Sequence, residues 1–178
     1  MPTTFLEGLL SGLGHPAGGL DHLAFIVVLG VVAALIPAGL AVVGAFIATS
    51  VIGTVVHAIN FDFPLSEQLV ALSVVLAGVL VALGLGAKQI VWLPFAAIAG
   101  LLHGYAFGET ILGADGLVIV AYLIGVVIVS SVIAVLAMQL ASKGLKLSDA
   151  GSVPLKIAGG LVAVFGIVLL ASSWGVDS

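Results

Sequence analysis

The sequence predicts an all-helical polytopic membrane protein, and composition and hydropathy pattern both support this fold class. Of the 178 residues, 62% are hydrophobic and only 7% are charged, with a mean hydropathy of +1.44. Soluble domains carry about 25% charged residues, so this chain cannot cover itself with a water-facing surface. Its long apolar runs lack the inward and outward alternation that a membrane β-barrel requires, so the membrane spans are predicted to be helices.

Helix-breaking and polar residues divide the chain into six predicted spans, because a membrane helix needs about 20 apolar residues. The first span stops at Pro37, and a tight turn leads directly into the second. Lys88 marks the turn before the fourth span. If Pro16 opens the first span, the residues before it could form a short N-terminal interfacial helix. The predicted spans, all in a single domain, cover about residues 18–36, 38–58, 66–86, 90–107, 117–141 and 154–174.

The four lysines predict the orientation of the chain in the membrane. They flank the turns between spans three and four and between spans five and six, and basic loops face the cytoplasm. Both termini are therefore expected outside. Residues 3–13 lack the basic region of a signal peptide, so a signal removed before maturation would account for export. Seven of the eight acidic residues fall on the predicted outer side: Glu7, Asp21, Asp62, Glu67, Glu109, Asp115 and Asp177.

Several classes of function and partner are excluded by composition. The chain has no cysteine, which removes disulfides, thiolate metal sites and cysteine nucleophiles. Four lysines, no arginine and a net charge of −4 make nucleic acid an implausible partner. The partners that remain are the lipid bilayer and a small cation. No permanently bound cofactor is predicted, and oligomeric state stays open because small residues on the spans serve packing within and between chains equally well.

The ionisable residues near the spans predict a site, because burying such groups in hydrocarbon is costly. All four histidines map to the outer half of the bundle, beside carboxylates that begin or follow the spans. Imidazole and carboxylate without thiolate suit nickel(II), cobalt(II), zinc or copper(II). Asp21 would either bind the ion directly or orient a histidine. The candidate metal ligands are His15, Asp21, His22, His57, Glu67, His103 and Glu109.

Structural roles are the alternative for the same residues. His15 could cap a helix, His22 and His103 could form hydrogen bonds between helices, and His57 suits a helix C-terminus. Glu67 suits the first turn of any helix. Four separate helices nevertheless bring such groups to a similar depth without sequence proximity, and this convergence favours a metal site.

The glycines around His103 predict close helix packing. Gly100, Gly104 and Gly108 recur every four residues and give one face of the fourth span a groove that admits another backbone. His103 borders this groove, so helix packing and a narrowed pore beside a ligand are both compatible with it.

Two strings carry a family resemblance. Residues 15–22, HPAGGLDH, fit the pattern HPxxGxDH, and residues 102–109, LHGYAFGE, resemble a second conserved stretch. Together with Pro64-x-x-Glu67 they resemble the HupE/UreJ family, small bacterial inner-membrane proteins implicated in nickel and sometimes cobalt uptake. The resemblance implies that His15, Asp21 and His22 are essential to transport, with Glu67, His103 and Glu109 contributing.

This chain also departs from the family pattern. Many relatives have HGHAHG where this chain carries Tyr105 and Phe107, and a histidine near the end of the fifth span is absent, with Met138 in that neighbourhood. Fewer imidazoles imply weaker binding, a different metal or a different permeant.

Three functions follow from these observations. The leading hypothesis is a permease, not an enzyme, that carries nickel(II) or another divalent transition metal as substrate across the bacterial inner membrane. The alternative is a channel or sensor for a small neutral or protonatable molecule, with the histidines as proton acceptors. The third is a membrane metallohydrolase in which zinc activates a water, but the sequence contains no HExxH.

Overall fold

The computed structural model describes residues 1–59 and 64–174, which are helical and contain no strand. This confirms the all-helical fold class. Asp62 and Asp177, two of the predicted outer acids, lie outside the described residues. The fifth helix is followed by a 3₁₀ turn, Glu109–Ile111, and the sixth by a π-helical turn, Leu140–Gly144. The helices are α1 (Phe5–Gly18), α2 (Leu20–Ala33), α3 (Gly39–Ala58), α4 (Ser66–Ala82), α5 (Gln89–Gly108), α6 (Gly116–Gln139) and α7 (Val153–Ser173).

The helices have the length and hydropathy of a multi-pass membrane protein. Four of them, α3, α5, α6 and α7, are long and apolar enough to cross a bilayer. The two 14-residue helices α1 and α2 meet at an angle of 75° and pass the same test together as one bent span. Helix α4 is apolar but has only 17 residues, or about 26 Å at 1.5 Å per residue.

The expectation that Pro16 opens the first span is wrong. Helix α1 begins at Phe5, where Thr4 and Glu7 form a capping box, and it continues through Pro16 to Gly18. The break falls at Gly19. The capping box fixes the start of α1, and Gly8 and Gly12 hold the helix against the backbone of α6 at Val118 and Tyr122. Packing on α6 therefore decides the position of this helix.

Glycines set the closest helix contacts. The groove predicted along Gly100, Gly104 and Gly108 is confirmed, because the α3 backbone between Phe46 and Thr54 lies in it. A methyl group on Gly104 would overlap the Ser50 carbonyl. Helices α3 and α5 run parallel, as do α1 and α6.

Helix direction separates two ends of the bundle. Helices α4 and α7 pack antiparallel, with Gly78 against Gly159 and the Gln68 amide donating to the Ser173 carbonyl. The start of α4 therefore lies beside the ends of α5 and α7, at what we call the acidic end, which carries Glu67 and Glu109. The opposite lysine end carries the four lysines, Lys88, Lys143, Lys146 and Lys156.

Candidate metal site

A cavity of about 350 Å³ opens at the acidic end of the bundle. Helices α1, α2, α4, α5 and α7 contribute to its wall. Five of the seven sequence-predicted ligands line it: His15, Asp21, His22, Glu67 and Glu109. The remaining lining includes apolar groups such as Val70 and Ala106 and the hydroxyl-bearing end of α7 at Ser172 and Ser173. Residues from five helices therefore meet around one cavity.

The break between α1 and α2 positions the three residues of the HPxxGxDH string. His15 lies in the last turn of α1, whereas Asp21 and His22 lie in the first turn of α2. The ring centroids of His15 and His22 are 5.6 Å apart. Oδ1 of Asp21 accepts the backbone N–H of His22 at 2.7 Å and lies 3.9 Å from Nε2 of the same residue.

Gly19 makes this arrangement possible. A Cβ at Gly19 would lie 2.6 Å from Cδ2 of His22 and 3.0 Å from Oδ1 of Asp21. The side chains of Asp21 and His22 thus fold back over a backbone that only glycine keeps bare. Gly18, next to it, has open space where a Cβ would go, so the two glycines of the string differ in their roles.

His103 lies behind the cavity and does not line it. It is fully buried, with Nδ1 2.8 Å from Nδ1 of His22 and Nε2 2.8 Å from Oγ of Ser73. Its ring packs against Phe25 at a centroid distance of 4.7 Å and against Phe46 at 5.6 Å. The structure thus connects His103 to the cavity through His22.

His15 has a polar partner on the other side of the cavity. Its Nδ1 lies 2.7 Å from Oγ1 of Thr110. The Tyr122 hydroxyl donates to the Phe107 carbonyl at 2.8 Å. The Phe107 ring also lies 4.5 Å from the His22 ring, so apolar and polar contacts both restrain the two histidines.

His57 is placed elsewhere. It lies in the last turn of α3, where its ring stacks on Tyr105 at 4.1 Å and its Nδ1 lies 2.7 Å from the Tyr105 carbonyl oxygen. It does not line the cavity. Glu67 and Glu109, in contrast, are exposed at the cavity rim. The structure therefore brings five candidates together, keeps His103 behind them and leaves His57 apart.

The cavity is wider than a tight metal site. Within residues 1–59 and 64–174, no three His, Asp or Glu side chains stand close enough to hold a metal ion. The volume of about 350 Å³ far exceeds the ~30 Å³ that one water occupies in the liquid. The arrangement suits a cation that still carries part of its hydration shell.

Ser73 and Thr110 are site residues that sequence reasoning missed. Each carries a hydroxyl, in or beside an apolar helix, that hydrogen-bonds a histidine. The sequence signal that could have identified them is a hydroxyl within or beside an apolar span, because such a group needs a hydrogen-bond partner when it is buried. Which partner it meets depends on helix packing.

Comparison with known proteins identifies the family of this chain. The model of the family described as HupE / UreJ protein matches residues 2–169. Protein HupE of Rhizobium leguminosarum bv. viciae is 33% identical over 169 residues, covering 92% of this chain and 85% of that protein. No solved structure matches. The family is known for nickel and cobalt transport. This multi-pass membrane chain belongs to the HupE/UreJ family.

Proposed function

We propose that this chain is a bacterial inner-membrane permease for nickel(II) or cobalt(II), and that the cavity at the acidic end is where the ion enters. The acidic end, with both termini, is proposed to face the outside. The observation that carries this proposal is the meeting of two imidazoles and three carboxylates in one cavity. Membership of a family of metal transporters supports it.

Charge favours entry of a cation from the acidic end. Glu67 and Glu109 stand at the rim and Asp21 lies beside His22, whereas all four lysines lie at the opposite end. The C-terminal end of α1 also points into the break and carries partial negative charge. Half-helices that meet at a break form the ion sites of many transporters. A cation reaching this cavity therefore meets negative charge first and imidazole nitrogen next.

Passage beyond the cavity requires a conformational step. Below His22 the path is filled by Phe107, His103, Phe25 and Phe46, all of them buried. The described structure is thus closed on the inner side of the cavity. The 75° break between α1 and α2 is the place where a change of helix angle would move His15 relative to His22 and open or close this barrier.

Calorimetric titration of the detergent-purified protein tests the proposal. Nickel, cobalt, zinc and magnesium are titrated into the wild type, Asp21→Asn and His22→Ala. Asp115→Asn is the matched control, because it removes the same charge at the α6 N-terminus, outside the cavity. We expect transition-metal binding in the wild type and the control, loss of binding in both cavity variants, and no magnesium signal.

The opposite result redirects the search. A folded wild type that binds no metal at micromolar to millimolar concentration would overturn the proposal. The histidines would then belong to a cluster for a neutral or protonatable permeant, the alternative that the sequence leaves open.

A further inference from the structure

A chain of hydrogen bonds leads from the cavity into the core. Nδ1 of His22 faces Nδ1 of His103 at 2.8 Å, and Nε2 of His103 faces Oγ of Ser73 at 2.8 Å. The Ser73 hydroxyl in turn donates to the Val70 carbonyl at 2.6 Å. Only one proton can lie in each of these contacts, so the order of donors along the chain is determined once one end is fixed.

The Val70 carbonyl fixes that end. A carbonyl only accepts, and a hydroxyl has one proton, so Ser73 gives its proton to Val70 and must accept from Nε2–H of His103. A neutral imidazole has one N–H, which leaves Nδ1 of His103 as an acceptor. His22 therefore donates from Nδ1. Its Nε2, on the side of Asp21, then carries a lone pair.

We infer that this hydrogen-bond series, which ends on the Val70 carbonyl, holds His22 as its Nδ1–H tautomer and so leaves the Nε2 lone pair of His22 for the cavity. Ser73 is thus a positioning residue that acts through His103 and His22. The inference rests on the proposed function in one respect, since it takes a borderline transition-metal cation as the ligand of that lone pair.

The chemical consequence is preorganisation. A metal binds the unprotonated nitrogen of a neutral imidazole, and the hydrogen bond made by the other nitrogen selects which one that is. Burial of His103 makes a charged imidazolium costly there. The imidazole of His103 therefore stays neutral, and the order of donors along the hydrogen-bond series is kept. Partners of ligand histidines typically change metal affinity 10- to 100-fold when they are removed.

Nitrogen-15 NMR of the metal-free protein tests the tautomers directly. The chain has four histidines, so four ring systems are resolved and each is assigned with a His→Gln variant. Couplings between ring nitrogens and ring carbons distinguish Nδ1–H from Nε2–H. We expect Nδ1–H for His22 and Nε2–H for His103. An Nε2–H form of His22 in the wild type would overturn the inference.

Variants of the positioning residue supply the second readout. Ser73→Ala should convert His22 and His103 to tautomer mixtures, with an unchanged His57 spectrum reporting an intact fold. Ser50→Ala is the matched control, because Ser50 is equally buried and donates to Ile47 as Ser73 donates to Val70. Unchanged tautomers in Ser73→Ala would contradict the inference.

Nickel titration of the same variants separates this inference from the proposed function. We expect affinity to fall about 10- to 100-fold in Ser73→Ala and to stay unchanged in Ser50→Ala. Predicted tautomers in a wild type that binds no metal would overturn the proposed function but uphold the hydrogen-bond order. Tight metal binding with the opposite tautomers would uphold the proposed function and overturn the hydrogen-bond order.

Discussion

The Nδ1 atoms of His22 and His103 lie 2.8 Å apart, although 81 residues separate them in the sequence. This contact ties the start of α2 to the C-terminal third of α5 and gives the two histidines different surroundings. His22 lines the cavity, whereas His103 has no exposed surface. The pair thus transmits the packing of the core to a side chain that lines the cavity.

Replacing Gly19 should displace the cavity residues. Gly19→Ala would put a methyl group against the His22 ring and the Asp21 carboxylate, so we expect nickel affinity to fall at least about tenfold. Gly18→Ala is the matched control, because a Cβ there meets no neighbouring atom. Calorimetry on the two variants checks this. Equal affinities would show that the bare backbone at Gly19 has no bearing on the site.

His57 should be dispensable for metal binding. It stacks on Tyr105 and lies outside the cavity, so His57→Gln should bind nickel within about twofold of the wild type, well short of the tenfold steps expected for residues around a ligand. His22→Gln is the comparison and should bind far more weakly. A loss of binding in His57→Gln equal to that in His22→Gln would place His57 in the metal site.

Glu67 should act through long-range attraction. Its carboxylate is exposed at the rim, and salt screens such charges over about 10 Å at 0.1 M ionic strength. Glu67→Gln should therefore bind nickel more weakly than the wild type at low salt, with the difference shrinking as salt rises. Titrations at 10 mM and 500 mM potassium chloride check this. A salt-independent loss would instead mark Glu67 as a direct ligand.

Gly104 should be required for stability. A methyl group there would overlap the α3 backbone at Ser50, and overpacking of this kind typically costs about 1–3 kcal/mol. Gly104→Ala should therefore lower the melting temperature in detergent. Gly44→Ala, on the exposed face of α3 where a Cβ meets nothing, should leave it unchanged or raise it. A stable Gly104→Ala would contradict the closeness of α3 and α5.

The proposed orientation can be measured with single cysteines, because the chain has none of its own. Leu112→Cys lies at the acidic end and Ser142→Cys at the lysine end, and both positions are exposed. In intact spheroplasts, a membrane-impermeant thiol reagent should label Leu112→Cys and leave Ser142→Cys unlabelled until the membrane is broken. The reverse pattern would place the cavity on the cytoplasmic side.

Local sequence rules were sufficient for most of the helices. Ser66 opens α4 and Val153 opens α7 within one residue of the predicted starts. The same local rules failed at Pro16, where a residue typical of helix starts lies inside α1. The capping box at Thr4 and the contact of Gly12 with α6 outweigh the preference of one proline, and only the second of these depends on distant residues.

Site chemistry was readable from residue type, but site geometry was not. Five candidates were expected near one end, and all five line the cavity: His15, Asp21, His22, Glu67 and Glu109. Nothing in the sequence separated His57 from them, because depth along a helix does not specify the direction of a side chain around it. The partners Ser73 and Thr110 lie 30 and 95 residues from the histidines they bond.

The sequence by itself determined that this protein is a helical membrane protein with imidazole and carboxylate concentrated at one end, because hydropathy and residue type are local properties of the chain. Only the tertiary structure decided which histidines face the cavity, where the first span breaks and which hydrogen-bond partners each histidine meets. Those features depend on how helices rotate and pack against one another, and the glycine contacts that set this packing join residues far apart in the sequence.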